Sequence, residues 1–354
     1  MELKPRITPS GLGAAVALTA LGSALWVEHA SRQAERRHHA PHHHLYIDGT
    51  RLHYRLVGEG PPVLLVHGNL VDGADFEASG LLARLADNHQ VLVIDRPGFG
   101  HSDRPRGIAW TPARQARLLH RAAAALGMHR PVIVGHSIGT QVAVAMALQE
   151  PADVAGLVLV SGYYWPSLRL DRWMVAPAAV PVLGDLLRYT TSAWTARATL
   201  GATLRAIFAP GPVPEQFRQL LPDELLLRPL QQRAIAEDGA RMVAQARALR
   251  PHYGELRVPV TLVAGSEDRI VSPQQSVRLH RQVPRGRLRL VSGVGHMAHY
   301  HAHAQILAGV EEALAAGRPG LVVPDDASGD GQGAAAAPAA DTSAAATAHA
   351  TEAG

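Results

Sequence analysis

Short apolar runs recur through the middle of the chain, too short for helices and too continuous for strands with one wet face. They read PPVLLVHG (61 to 68), QVLVIDR (90 to 96), PVIVGHS (131 to 137), GLVLVSG (156 to 162), PVTLVAGS (259 to 266) and RLRLVSG (287 to 293). Strands that are apolar on both faces are what a parallel sheet covered by helices on each side requires. Upstream, LYIDGTRLHYRLV, Leu45 to Val57, alternates apolar and polar positions around Asp48-Gly49, which is the pattern of a hairpin. Helical patterns lie between several of the runs. In TPARQARLLHRAAAALGM, Thr111 is a suitable N-cap, Pro112 suits the first helical position and Gly127 is a stop signal. The pattern predicts an α/β fold, a mostly parallel, doubly wound sheet entered through an antiparallel hairpin.

One interval breaks this rhythm. Residues 163–254 contain no clear strand, many Pro and Arg residues, and amphipathic stretches such as Leu220 to Leu230, read here as helical. They predict a helical lid inserted over the carboxyl ends of the strands.

The two ends differ from the middle. Gly11 to Val27 is a stretch of 17 residues without a charge, which reaches the lower limit for a helix spanning a bilayer. Small residues spaced for signal cleavage are hard to find after it, so residues 1–31 are expected to form a retained hydrophobic anchor, with membrane contact through residues 11–27. Residues 32–44 read as a His/Arg-rich linker carrying His38, His39, His42, His43 and His44. No carboxylate or second cluster completes a metal-binding geometry there, so the expectation is a solvated linker. Residues 317–354 are mostly Ala, Gly, Pro, Ser, Thr and Asp, too poor in large apolar side chains to offset ordering entropy, and are expected to be a disordered tail.

Composition narrows the rest. A chain of 354 residues with 47% apolar content can bury a sizeable core, here a single domain over residues 45–316. The net charge is +4, but the cations are scattered and Lys4 is the only lysine, so no nucleic-acid surface is expected. The absence of cysteine excludes disulfides, thiolate metal sites and a thiol nucleophile.

The candidate chemistry begins in GHSIG, Gly135 to Gly139, where a strand turns directly into a helix. The glycines remove side chains that would collide in so tight a turn, and Ser137 is left at its apex beside a helix amino end. A serine hydroxyl needs a base to accept its proton, and the base needs an acid to hold its tautomer. AGSEDRIV supplies Asp268 just past one strand, and SGVGHMAH supplies His296 just past the next. Glu267 competes with Asp268 as the acid, and the place of Asp268 after the strand favours it. The earlier position at which an acid could stand reads LVSGYY, without a carboxylate.

With HGN at 67 to 69, DRPGFGHS at 95 to 102, GHSIG, GSEDRIV and GVGHMAH in this order, the chain resembles the α/β-hydrolase superfamily over about Leu45 to Ala316. The resemblance implies an α/β-hydrolase fold with Ser137 as nucleophile, His296 as general base and acid, and Asp268 as its orienting partner. It also implies an oxyanion hole from the backbone N–H groups of Ile138 and Asn69, or of Leu70 if the turn is displaced by one residue. No cofactor and no metal are implied. His67 and His136 would be packing and hydrogen-bonding residues, and DRPGFGHS a tight turn beneath the active site. His299, His301 and His303 are expected at the surface, at the start of the last helix.

The implied reaction is hydrolysis of a carboxylic ester of a lipophilic small molecule through an acyl-enzyme. Carbon-carbon bond hydrolysis of a diketone-like acid and cofactor-free perhydrolysis would use the same triad. Tyr163, Tyr164, Trp165 and Trp173, at the start of the lid, could form an apolar acyl pocket or the packed base of the lid. HGN also resembles haloalkane dehalogenases, but those have aspartate as nucleophile, and Ser137 argues against that chemistry. A non-enzymatic ligand-binding scaffold is the remaining class, opposed by the intact Ser137, Asp268 and His296.

Overall fold

The computed structural model describes residues 9–38, 43–167, 180 and 182–316. Asp48 and Gly49, both at positive φ, turn β1 (His44–Ile47) back onto β2 (Thr50–Val57) in antiparallel register. This is the hairpin that the Asp-Gly pair predicts. The apolar runs become β3 (Pro62–Val66), β4 (Gln90–Ile94), β5 (Val132–His136), β6 (Gly156–Val160), β7 (Val260–Gly265) and β8 (Gly286–Val291). The eight strands form one sheet in the order β1-β2-β4-β3-β5-β6-β7-β8, parallel from β4 onward.

Because side chains alternate across a strand, each central strand feeds two cores. Leu64 and Val66 of β3 join one apolar cluster, while Val63 and Leu65 join the other. The first cluster is covered by α4 (Pro112–Ala125) and α5 (Gly139–Gln149), the second by α3 (Leu81–Ala86) and α12 (His303–Ala316). Thr111 caps α4, its hydroxyl accepting the Arg114 N–H, and Gly127 lies at φ +75 just beyond the helix. Shorter helices, α2 (Ala74–Ala78) and α11 (Gln274–His280), follow β3 and β7.

Between β6 and β7 the described residues are helical: α6 (Leu183–Tyr189), α7 (Thr191–Phe208), α8 (Glu215–Leu220), α9 (Asp223–Leu226) and α10 (Pro229–Leu249). The single helix expected around Leu220 to Leu230 is broken in two places. Pro222 ends one segment and caps the next, and Pro229 opens the long helix, because a proline lacks the N–H that a helix interior needs. The amphipathic pattern still buries Leu221, Leu225 and Leu226. These helices dock on α2 through a third apolar cluster that includes Val71, Leu204, Phe208, Phe217 and Met297.

At the amino end, α1 (Pro9–Arg37) is long and apolar enough from Leu12 to cross a bilayer. It continues through residues 32–37, where a linker was expected. An Arg32–Glu28 pair lies along the helix, and Glu35 and Arg37 reach Arg228 and Glu224 of the insertion. Ser23 donates to the Tyr189 carbonyl at 2.9 Å, and Trp26 stacks on Trp194 at 4.7 Å. His38 reaches Glu224, and His43 and His44 join the edge of the sheet, so these histidines do not form a free solvated tract. His39, His42, Trp173 and the expected tail at 317–354 lie outside the described residues.

Candidate active site

The geometry starts from the crossing of β5 into α5. Ser137 sits between them at φ +52, a left-handed conformation that a residue with a side chain adopts at a cost. Three hydrogen bonds hold it there: its N–H donates to the Val160 carbonyl of β6, and its own carbonyl accepts from the N–H and the hydroxyl of Thr140. The turn packs against β3 so tightly that a Cβ at Gly139 would collide with the carbonyl oxygens of Val66 and His67. Gly68, in the turn after β3, similarly approaches Ser137, whose Cβ lies 3.2 Å from where a Gly68 side chain would begin.

β7 and β8 are parallel neighbours, so the loops after them arrive together at the same edge of the sheet. His296 Nε2 accepts from the Ser137 hydroxyl at 3.1 Å, and its Nδ1–H donates to Asp268 Oδ2 at 2.8 Å. The other oxygen of Asp268 accepts the N–H groups of Ile270 and Val271, each at 2.8 Å, which fixes the carboxylate plane. Asp268 is thus the carboxylate brought to the histidine, while Glu267 at the same turn is exposed. Asp268 and His296 are buried, and Ser137 is half-buried.

Asn69 and Leu70 follow Gly68 in the turn, Leu70 at φ +75. Among the described residues, the turn and loop hydrogen bonds do not include a backbone bond donated by Asn69, Leu70 or Ile138. The Asn69 side chain donates to the Ile235 carbonyl of α10 at 3.3 Å, and Gln231 of the same helix donates to the Leu70 carbonyl at 3.0 Å.

Beneath the turn lies a set of buried polar groups that sequence patterns did not reveal. Arg96 is fully buried; its guanidinium donates to the carbonyls of His67 and Gly68, to Gln115 and to Asp238 of α10. Asp238 also pairs with the buried Arg104. Burial alone would raise the Asp238 carboxyl, but the two guanidinium charges outweigh it and hold it below its ordinary value. His67 accepts the Arg96 N–H on Nε2, donates Nδ1–H to the Gly68 carbonyl, and is pushed down to about 3, chiefly by burial and then by Arg96. It is therefore neutral and structural.

A second group surrounds Asp95. Its carboxylate accepts from His53, from the Gly73 N–H and from the His101 N–H, and these partners outweigh burial to hold it well below the usual range. Asp72 is pushed the other way, up to about 7, by burial and by the neighbouring Asp95 charge. Below about pH 7 the Asp72 carboxyl holds its proton while that of Asp95 stays charged.

His299 departs from the expected surface position. It is buried on a 3-10 turn ahead of α12, with Nε2–H donating to Asp75 Oδ2 at 2.8 Å while Tyr300 donates to the other oxygen. His136 packs against its ring at 4.3 Å and donates Nε2–H to the His296 carbonyl. Burial pushes His136 well below its ordinary value, so the ring beside the catalytic candidates is neutral. Among the described residues Asp75, His136 and His299 bring donor atoms within 4.8 Å of one another. Both Asp75 oxygens and the Nε2 atoms of His136 and His299 are engaged in this hydrogen-bonded arrangement, while the Nδ1 atoms of the two rings are buried without a hydrogen-bond partner among the described residues. His301 is exposed and His303 half-buried, its Nε2 donating to the Ser79 carbonyl.

Of the aromatic residues at the start of the insertion, Tyr164 and Trp165 belong to the main core, with their backbone N–H groups bound to Gln275. Tyr163 packs with Ala246 of α10 and Val271. These three form a packed base rather than an open pocket.

Comparison with known proteins agrees with the α/β architecture. The family profile described as alpha/beta hydrolase fold matches residues 61–302. Haloalkane dehalogenase 2 of Mycobacterium tuberculosis is similar at 31% identity over 140 residues, 39% of this chain; the match spans only about half, 48%, of that relative's length. Two solved structures share the fold. A thermophilic esterase from Thermogutta terrifontis matches at TM-score 0.60 and 24% identity, covering 78% of this chain and 99% of the other. A membrane phospholipase A described as a bacterial virulence factor matches at TM-score 0.60 and 22% identity, covering 86% and 96%.

Two predictions follow from the packing and charge of this region. Gly139→Ala forces the turn off β3; denaturant titration should register a loss of about 2 kcal/mol or more, and activity on a short ester should fall at least about tenfold. The second concerns Asp72, whose folded value, about 7, lies above its unfolded one, 3.8. The stability it contributes is present below the unfolded value and is lost as pH rises toward the folded one. Asp72→Asn should therefore gain stability relative to the parent between about pH 4 and 7, by more than about 1 kcal/mol, in parallel urea titrations. A difference that stays constant over this window would contradict the raised value.

Proposed function

The chain belongs to the alpha/beta hydrolase fold family, and from that premise we propose that it is a serine hydrolase cleaving the carboxylic ester of an apolar small molecule. The observation that carries this reading is the unbroken series Ser137 Oγ, His296 Nε2 at 3.1 Å, His296 Nδ1 and Asp268 Oδ2 at 2.8 Å. Each distance is within reach of proton transfer or a charge-assisted hydrogen bond.

The mechanism follows from those contacts. His296 takes the Ser137 proton as Oγ attacks the ester carbonyl, and Asp268 holds the imidazole tautomer and stabilises the imidazolium. The tetrahedral oxyanion is met by the N–H of Ile138, at the amino end of α5, and by that of Asn69. His296 then gives its proton to the departing alcohol, and Ser137 is left acylated. Water, deprotonated by the same imidazole, attacks the acyl carbonyl, and collapse of the second tetrahedral species frees the acid and restores the serine hydroxyl. Nucleophile, base and oxyanion donors are thus supplied by the chain, with no call on a metal or organic cofactor.

Support for an apolar substrate comes from the surroundings. Leu204 and Phe208 of the insertion form an apolar cluster with Leu70 and Val71, which follow the HGN turn, and with Met297, the residue after His296. Helix α1, apolar and packed on the same insertion, supports a membrane-anchored enzyme that meets lipophilic esters.

Ser137→Ala should abolish hydrolysis of a p-nitrophenyl ester and labelling by a fluorophosphonate, with the fold kept by circular dichroism. Asp268→Asn should leave the nucleophile in place but lower kcat by roughly 10⁴ through the wrong tautomer. A folded Ser137→Ala protein with full activity would reject the reading. Folded parent protein that neither turns over esters nor takes the label would point instead to a ligand-binding scaffold.

A further inference from the structure

The turn that carries the second oxyanion donor is not held by the sheet alone. Its peptide planes are fixed from below by Arg96, and Arg96 is fixed from above by the insertion. We propose that Asp238, on α10, is a positioning residue for oxyanion stabilisation, acting through Arg96 on the peptide that bears the Asn69 N–H. The inference rests on the reading of Asn69 as an oxyanion donor.

The Gly68 carbonyl and the Asn69 N–H belong to one peptide unit, and in a planar trans peptide they point in opposite directions. Aiming one aims the other. The Gly68 carbonyl accepts from Arg96 Nη2 at 2.8 Å and from His67 Nδ1 at 2.9 Å. The preceding carbonyl, of His67, accepts from Arg96 Nε at 3.0 Å. One guanidinium thus grips two successive carbonyls on the side away from the Asn69 donor, and its planar fork makes that grip directional.

A guanidinium with no exposure holds such a position only if its charge is met. Asp238 Oδ2 meets it at 2.6 Å, with Gln115 taking a second bond from Nη1 at 2.9 Å. The other Asp238 oxygen accepts from Arg104 Nη2 at 2.8 Å, and Arg104 in turn donates to the Pro97 carbonyl and to Glu237. Asp238 is thereby clamped between two arginines, and cannot swing without breaking both pairs. The same helix fixes the side of the turn: Asn69 donates its side chain to the Ile235 carbonyl, and Gln231 donates to the Leu70 carbonyl. The insertion is therefore part of the oxyanion apparatus as well as a cover over it. Loosening Asp238 frees the Gly68–Asn69 peptide to rotate while Ser137, His296 and Asp268, held by other elements, stay in place.

The test compares Asp238→Asn and Arg96→Lys with the parent on a p-nitrophenyl ester, and measures inhibition by a trifluoromethyl ketone that adds to Ser137. Asp238→Asn removes the charge and keeps the shape; Arg96→Lys keeps the charge but offers a point donor that cannot span both carbonyls and Asp238. Each should lower kcat roughly 10- to 100-fold and weaken the ketone by a similar factor, with KM within about threefold. The pH profile of kcat/KM should keep its acidic limb where it was, because the Ser137, His296 and Asp268 contacts are untouched. Arg96→Lys decides the matter if Asp238→Asn does not fold. Unchanged kcat and ketone affinity in a folded variant overturn the proposal, and so does a loss confined to KM, which would mark the insertion as a substrate-binding cover only. Parent protein without ester turnover or fluorophosphonate labelling would remove the underlying reading instead, so the two failures are distinguishable.

Discussion

A side chain in left-handed backbone at the apex of a strand-to-helix turn is the constraint around which this molecule is organised. Ser137 at φ +52 costs of order 1–3 kcal/mol relative to a relaxed residue. That cost is tolerated because both flanking elements are fully committed. Every residue of β5 is buried, α5 is buried from Gly139 to Ala147, and the hydrogen bonds to Val160 and Thr140 leave the turn no alternative path. The crowding explains the glycines. At 139 a methyl group would occupy the β3 backbone, and at 68 it would press on Ser137 and His136. The strain lifts the hydroxyl toward the loops after β7 and β8.

Around that apex the molecule uses buried charge for orientation. Apolar residues of similar volume often stabilise a core as well as an ion pair does, whereas breaking a buried pair costs about 3–5 kcal/mol. Arg96, Arg104 and Asp238 therefore contribute little net stability for the desolvation they carry. What they supply is direction: a carbonyl bound by a guanidinium cannot rotate, and a carboxylate between two guanidinium groups cannot drift. Asp72 and Asp95 follow the same logic at the foot of the turn. There Asp72, whose carboxyl is pushed up to about 7, yields the negative charge to the Asp95 carboxylate, which accepts bonds from His53, Gly73 and His101.

The sheet was legible because burial on both faces leaves a periodicity that needs no partner to be recognised. Each central apolar run became a strand displaced by no more than a few residues, and the Asp-Gly hairpin and the Thr111 cap followed from local rules. The residues of the candidate site were legible for a related reason: each of Ser137, Asp268 and His296 follows a strand, and parallel strands deliver their ends to one edge. What the sequence concealed was the identity of long-range polar partners. Nothing in AEDGA marks Asp238 as the counter-charge of an arginine 142 positions earlier. His299 sits among three other histidines at short spacing, and only the arrival of Asp75 from across the sheet draws it inside. Hydrophobic periodicity also overlooked Pro222 and Pro229 as breaks, since the apolar face runs on while the helix does not.

Likeness of fold and choice of chemistry separate cleanly at one atom. The similarity to a haloalkane dehalogenase is a similarity of scaffold, and the nucleophile decides what the scaffold can complete. Displacement of a halide by a carboxylate gives an ester, whose carbonyl water can attack to release the alcohol and regenerate the enzyme. Displacement by Ser137 Oγ would give an alkyl ether, with no carbonyl for water to attack and no route back to the free serine. On an acyl substrate the same oxygen gives an ester, and the imidazole that took its proton is in position to deliver water to it. The turn geometry, the histidine and the carboxylate would serve either reaction; on the proposed reading, the hydroxyl at residue 137 suits attack on a carbonyl and not displacement of a halide.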